Sequence, residues 1–298
     1  MSGKLYLLQA HPAAILAFDL ATGSVQTVVG GLVGVPDGIQ LDAAGRSIFW
    51  TSMGGMPVSG EDFLAADGSI ERCDRDGTNH RTLLGAGAIV TPKQLQLHEP
   101  TDTLYWCDRE GMALMCCRTD GSGHRILLRT GEWPEQAGDV MRHCVGIALD
   151  DRDGYLYWTQ KGPPDGNRGR IFRIALDIVG GTVDGPSGAA KLLLDNLPEP
   201  IDLDIDYDRR QLYWTDRGHP KVNGNSLNRA DMGPSGLINH KVLATGLNEG
   251  IGLALDWAGQ RVFVSDLGGF LRVLSIPDGS FSIVHRFEGP LTGIAFED

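Results

Sequence analysis

Little in this chain equips it for nucleic acid or lipid. Lysine and arginine number 26 against 38 aspartates and glutamates, for a formal charge of −12. Without a basic footprint, nucleic acid and anionic membrane surfaces are poor partners. No apolar run reaches the ~18 residues of a spanning helix, and Met1-Ser2-Gly3-Lys4-Leu5 does not open a signal peptide. Cysteine is scarce. Cys73, Cys107, Cys116, Cys117 and Cys144 are odd in number and lack zinc-site spacing. Reduced thiols in a cytoplasmic protein are the expectation. Helical periodicity is missing too. So are a Gly-rich nucleotide loop, a Gly-x-Ser-x-Gly elbow and a His-x-x-x-His pair.

What the chain has instead is a recurring phrase. Ile48-Phe49-Trp50-Thr51-Ser52 returns as Leu104-Tyr105-Trp106-Cys107-Asp108, then Leu156-Tyr157-Trp158-Thr159-Gln160, then Leu212-Tyr213-Trp214-Thr215-Asp216. The tryptophans stand 56, 52 and 56 residues apart. Val262-Phe263-Val264-Ser265-Asp266 and Leu5-Tyr6-Leu7-Leu8-Gln9 are weaker copies, making six units. Self-similarity at this period marks a repeat architecture.

One unit shows the local structure. Gly250 to Asp256 alternates apolar and small residues, Trp257 to Gln260 turns, and Val262 to Asp266 is apolar again. Phe270 to Ile276 and Phe281 to Arg286 follow, separated by Pro277-Asp278-Gly279. Period-two patterning between Gly, Asp and Pro punctuation predicts four antiparallel strands. Six such units predict an all-β, six-bladed propeller over residues 1–298, a single domain. The last unit runs out at Gly293-Ile294-Ala295-Phe296. Its missing strands are found in Lys4 to Gln9, Ala14 to Leu20 and Val25 to Val29, so the ring is expected to close through a composite blade.

The phrase Leu-Tyr-Trp-Thr-Asp, preceded by Gly-Ile-Ala-Leu-Asp, resembles the YWTD repeats of the low-density-lipoprotein-receptor class. Gly146 to Asp150 with Tyr157 to Thr159, and Tyr213 to Asp216 with Arg229, carry the likeness. It implies a six-bladed propeller. Ser52, Gln160 and Gln9 stand where the motif has Asp, and the disulfide-rich modules of the receptors are not in this sequence. Gluconolactonase-like and strictosidine-synthase-like enzymes share the architecture and place small-molecule chemistry at the central channel.

The innermost strands align. The pattern puts Gly and then Ala at two same-side positions, as in Gly146/Ala148, Gly252/Ala254 and Gly293/Ala295. Three units depart from it, with Gly38/Gln40, Gln94/Gln96 and Asp202/Asp204. These polar groups are expected to gather toward the axis, either as a network tying the blades or as the floor of a site. Asp37, Lys93, Arg142, His143, Glu199 and Glu249 stand near the starts of first strands, on the rim of the same mouth. The loops Met53 to Asp67, Lys161 to Arg170, Arg217 to Ser226 and Arg129 to Met141 lie on that face.

Two functions compete. One is a hydrolase, lyase or isomerase with cofactor-independent acid–base chemistry on a small molecule. Asp202, His143 and Glu199 would transfer protons. Gln40, Gln94, Gln96, Lys93, Asp37, Arg142, Glu249 and Asp204 would bind substrate. The other is a non-catalytic module binding a protein or peptide on the same face. No cofactor is expected. Channel carboxylate and amide oxygens suit calcium, without a specified ligand set.

Overall fold

The recurring phrase forms the second strand of each blade. A computed structural model describes residues 2–57, 63–85, 87–179 and 182–297. It contains six four-stranded antiparallel sheets and, among the described residues, only three short 3-10 turns as helix. Blade one runs Pro36–Leu41, Ser47–Ser52, Ser69–Asp74, Arg81–Leu84 from the inside out. Blades two to five begin with Pro92–His98, Cys144–Asp150, Glu199–Asp206 and Gly250–Asp256. Their innermost strands neighbour one another in a closed circle.

Blade six is the expected composite. Leu291–Glu297 is innermost and pairs with Lys4–Gln9, followed by Ala14–Asp19 and Val25–Gly30. Lys4 lies opposite Glu297 and Leu7 opposite Ile294. The outer hairpin of blade three, Gly169–Val179 with Thr182–Leu197, is longer than its counterparts. Of the long loop read over 53–67, residues 58–62 lie outside the described residues.

Adjacent residues on a strand face opposite sides of the sheet. The Tyr-Trp pair therefore serves two seams. Phe49 packs with Trp106 between blades one and two. Tyr105 packs with Trp158, and Tyr157 with Trp214. The series continues with Tyr213 and Val264, Phe263 and Leu7, and Tyr6 and Trp50, which closes the circle. Core in this molecule means these inter-blade layers, and burying the four motif indoles supplies much of their apolar area.

The residue after the Trp fastens the seam nearer the axis. Thr159 Oγ1 accepts the Gly146 N–H at 2.7 Å and donates to the Ile201 carbonyl of the next blade at 2.8 Å. Thr51 does the same with Gly38 N–H and Lys93 O, both at 2.8 Å, and Thr215 with Asp202 N–H and Ile251 O. Ser265 donates to Thr292 O, and Cys107 Sγ reaches Gly146 O at 3.3 Å. At the closing seam Thr292 Oγ1 donates to Pro36 O at 2.8 Å. Glycine is required where the strands converge: a Cβ on Gly146 would fall 2.0 Å from Ile201 O, and one on Gly293 2.4 Å from Asp37 O.

Candidate functional site

Strand pairing puts the start of each first strand beside the end of the second, as in Pro36 with Ser52 and Pro92 with Asp108. Both therefore open on one face, together with the loops that follow second strands. The aspartates of the repeated phrase secure this face from within. Asp108 accepts the Val90 and Thr91 N–H groups, Asp216 that of Glu199, and Asp266 those of Asn248 and Phe270. Burial pushes the Asp108 carboxyl up to about 6, against the pull of those N–H donors.

The polar substitutions of the innermost strands meet neighbouring blades. Asp202 Oδ1 accepts the Leu203 N–H at 2.9 Å, and its Oδ2 accepts the Leu253 N–H of blade five at 3.0 Å. An innermost strand is a sheet edge whose outward N–H groups need partners, and Asp202 supplies one. Asp204 accepts the Ile205 N–H at 2.8 Å. Burial raises Asp202 well above the usual carboxylate range and Asp204 to about 7, in each case against N–H groups that pull the other way. Gln40 Nε2 donates across the seam to Leu95 O at 3.0 Å, and Gln96 Nε2 donates to Leu97 O at 3.3 Å. Gln40, Gln96 and Asp204 keep partial exposure, toward the far end of the channel.

A further layer lies one residue before the first of the two compared positions. There Asp37, Lys93, Val145, Ile201, Ile251 and Thr292 are equivalent, and all are buried. Val145, Ile201 and Ile251 form an apolar cluster of their own. Lys93 Nζ lies 2.6 Å from Asp37 Oδ1 and 3.1 Å from Met53 Sδ, and Gln94 Nε2 donates to Asp37 Oδ2 at 3.1 Å. Three members of this layer are hydrocarbon, two form an ion pair, and the sixth is Thr292, bonded to Pro36 O. Together they form a buried layer beneath the upper mouth.

Above this layer, ionisable groups gather in a solvent-poor space. His143 is 1% exposed, and its Nε2 lies 2.7 Å from the Ala137 carbonyl. A carbonyl only accepts, so Nε2 carries the proton and Nδ1 keeps its lone pair while the ring is neutral. Burial holds His143 below its ordinary value; Ala137 O and Glu110 oppose this, and Arg109 and Lys161 add to it. Arg109 Nε donates to Glu110 Oε1 at 2.7 Å. Burial pushes Glu110 up, but Arg109 holds it below the usual carboxylate range overall. Lys161 Nζ stands 3.8 Å from Glu199 Oε2, and Glu199 Oε1 accepts the Asp165 N–H. Burial pulls Lys93 below the usual ammonium range, with Asp37 opposing.

Asp37, Lys93, His143 and Glu199 thus meet as a group at the mouth. Arg142 is bound away from it, to Asp139 at 2.9 Å and to Thr130 O. Glu249 pairs with Arg217 at 2.6 Å on the shoulder of the mouth. Arg109, Glu110 and Lys161 were missed by sequence reasoning, although Arg109 and Lys161 directly follow second strands and Glu110 comes one residue later. Among the described residues no cluster of three or more His, Cys, Asp or Glu side chains is placed to hold a metal. The five cysteines are free and buried.

No family model matches the chain. A relative from Pyricularia oryzae described as low-density lipoprotein receptor-related protein 1 is 42% identical over 282 residues, 91% of this chain and 88% of the relative. The 3-hydroxyacyl-CoA dehydrogenase-like protein LAM1 of Cochliobolus heterostrophus is 35% identical over 88% of this chain, which spans 56% of LAM1's length. Among solved structures, a nidogen/laminin complex superposes with a TM-score of 0.74 at 19% identity, covering 99% of this chain and 98% of that one. A gluconolactonase from Xanthomonas campestris gives 0.65 at 15% identity, covering 97% and 86%. Those two likenesses show the fold alone. The chain belongs to the low-density-lipoprotein-receptor-related family of YWTD-repeat six-bladed β-propellers.

Proposed function

We propose that the upper mouth is a small-molecule active site that uses His143 as its proton-transfer group. The observation that supports this is the buried ionic group itself. Desolvating Lys93, Arg109, Lys161 and their carboxylates costs stability that hydrocarbon would not. Such costs are concentrated where charge is used in chemistry. His143 holds its Nε2–H on a backbone carbonyl and presents Nδ1 as the base. Lys161 and Arg109, which act on its charge, are the cations suited to a developing oxyanion. Asp202 is given the part of a seam tie, because both its oxygens accept backbone N–H groups. LAM1 bears an enzyme's name, which fits a metabolic role.

A screen of lactones, esters and epoxides tests this. Turnover by the wild-type chain should fall about 10²–10⁴-fold in His143→Ala and persist in Asp202→Asn. Equal turnover in His143→Ala removes the assignment.

A second reading is favoured by one observation. Val33 (91% exposed), Met56 (73%) and Leu64 (54%) sit on loops of the same face, on blade one and at its entry. Exposed apolar side chains at loop tips suit a protein or peptide partner, and the nidogen/laminin neighbour is a protein complex. Saturable peptide binding, abolished by Val33→Asp or Met56→Asp, together with no turnover in the screen would favour it.

A further inference from the structure

Beside the ionic group, between the 161–170 and 217–226 loops, lies a cleft of about 340 Å³. That volume suits a small ligand. Its polar lining comes from Asp165, Glu199, Arg217, His219, Asn225 and Glu249. Glu199 is the informative member. It is 3% exposed, and its Oε2 has no hydrogen-bond donor among the described residues, since Lys161 Nζ at 3.8 Å is out of reach. A buried carboxylate oxygen left without a donor calls for water or a ligand to supply one.

The remaining lining mixes donors with acceptors. Glu249 and Arg217 neutralise each other at 2.6 Å. Asn225 spends Oδ1 on the Glu249 N–H, so its amide nitrogen is the donor it has to offer. His219 Nδ1 accepts the Lys221 N–H, so the neutral ring carries its proton on Nε2. A carboxylate ligand would confront Glu199, Glu249 and Asp165. An ammonium ligand would satisfy those acceptors but oppose Arg217 and accept nothing from His219 or Asn225. A hydroxyl group both donates and accepts, and several on one small frame meet both kinds of wall.

We propose that this cleft binds an uncharged polyhydroxylated molecule of monosaccharide size, with one ligand hydroxyl donating to Glu199. The site shares Glu199 with the mouth but does not depend on proton transfer at His143. Saturation-transfer NMR on the full chain tests it with methyl β-D-glucoside and sorbitol as neutral probes, and gluconate and glucosamine as charged controls. The neutral probes should bind, and Glu199→Gln should weaken them about fivefold or more, as expected for a lost charge-assisted hydrogen bond. His219→Ala, at an exposed position, should weaken them without disturbing the fold, and it decides the matter if Glu199→Gln misfolds. Absence of any neutral binding to the folded wild type would mean a cleft filled by water alone and would overturn the proposal. So would unchanged binding in His219→Ala, or stronger binding of gluconate or glucosamine. Intact binding in a catalytically inert His143→Ala would separate this site from the acid–base reading.

Discussion

Thr159 shows how one hydroxyl can hold two blades. It satisfies a backbone donor of its own blade and a backbone acceptor of the next, with no exposure to water. Thr159→Val keeps the shape and removes both bonds. The stranded Gly146 N–H and Ile201 C=O should cost about 1–3 kcal/mol, read as a lower urea midpoint with an unchanged slope. No shift would mean that the seam is held by its apolar layer alone.

Asp204 makes a pH-dependent contribution. Burial lifts its folded value to about 7, above the ~4 of an ordinary carboxyl. Between those values the native state keeps a proton that the unfolded chain releases, so the stability this group contributes falls as pH rises from about 4 to 7. Asp204→Asn removes the titration. The melting temperature of the variant, relative to wild type, should therefore climb between pH 5 and pH 7.5. A difference that stays flat across that interval would show that Asp204 titrates normally.

At the scale of strands and loops, the two periods in the sequence carry unequal information. The apolar runs between Gly, Asp and Pro punctuation were enough to place the strands of blade five and the composite blade to within two residues. The first-strand alignment also singled out Gln40, Gln94, Gln96, Asp202 and Asp204 as departures from small residues. It did not reveal Val145, Ile201 and Ile251 as an axial cluster. Apolar residues at that position look like any strand interior until six strands are seen to converge. Arg109, Glu110 and Lys161 were illegible for another reason. Their meeting with His143 depends on how loops fold over the mouth, and loop paths carry no periodic signal. The loop-bound His143 makes a kinetic prediction. Burial keeps its value below the ordinary ~6.5, so the acidic limb of a kcat/KM profile should lie below that pH. A limb above pH 7 would exclude free His143 as the base.

For the whole molecule, stability depends on where the ring is closed. Blade six joins Leu291–Glu297 to Lys4–Gln9 by backbone hydrogen bonds inside one sheet. The six seams between blades are made of side-chain layers and isolated side-chain hydrogen bonds, with a peptide linker crossing each. A circular permutant can exchange these roles. Joining Lys4 to Glu297 through a short Gly-Ser linker is sterically simple, since the two are paired neighbours. New ends cut between Gly87 and Ala88 then leave every blade contiguous and blades one and two linked only by their seam. That seam keeps the Phe49–Trp106 layer and the Thr51 bond to Lys93 O. The permutant should fold but lose on the order of a few kcal/mol, because no ladder of bonds worth ~1 kcal/mol each resists opening at the cut. Hydrogen exchange should quicken first in Pro36–Leu41 and Pro92–His98, the strands flanking the open seam. If the permutant matches wild type in melting and in exchange at those strands, the shared sheet adds nothing to closure and the seams alone hold the ring.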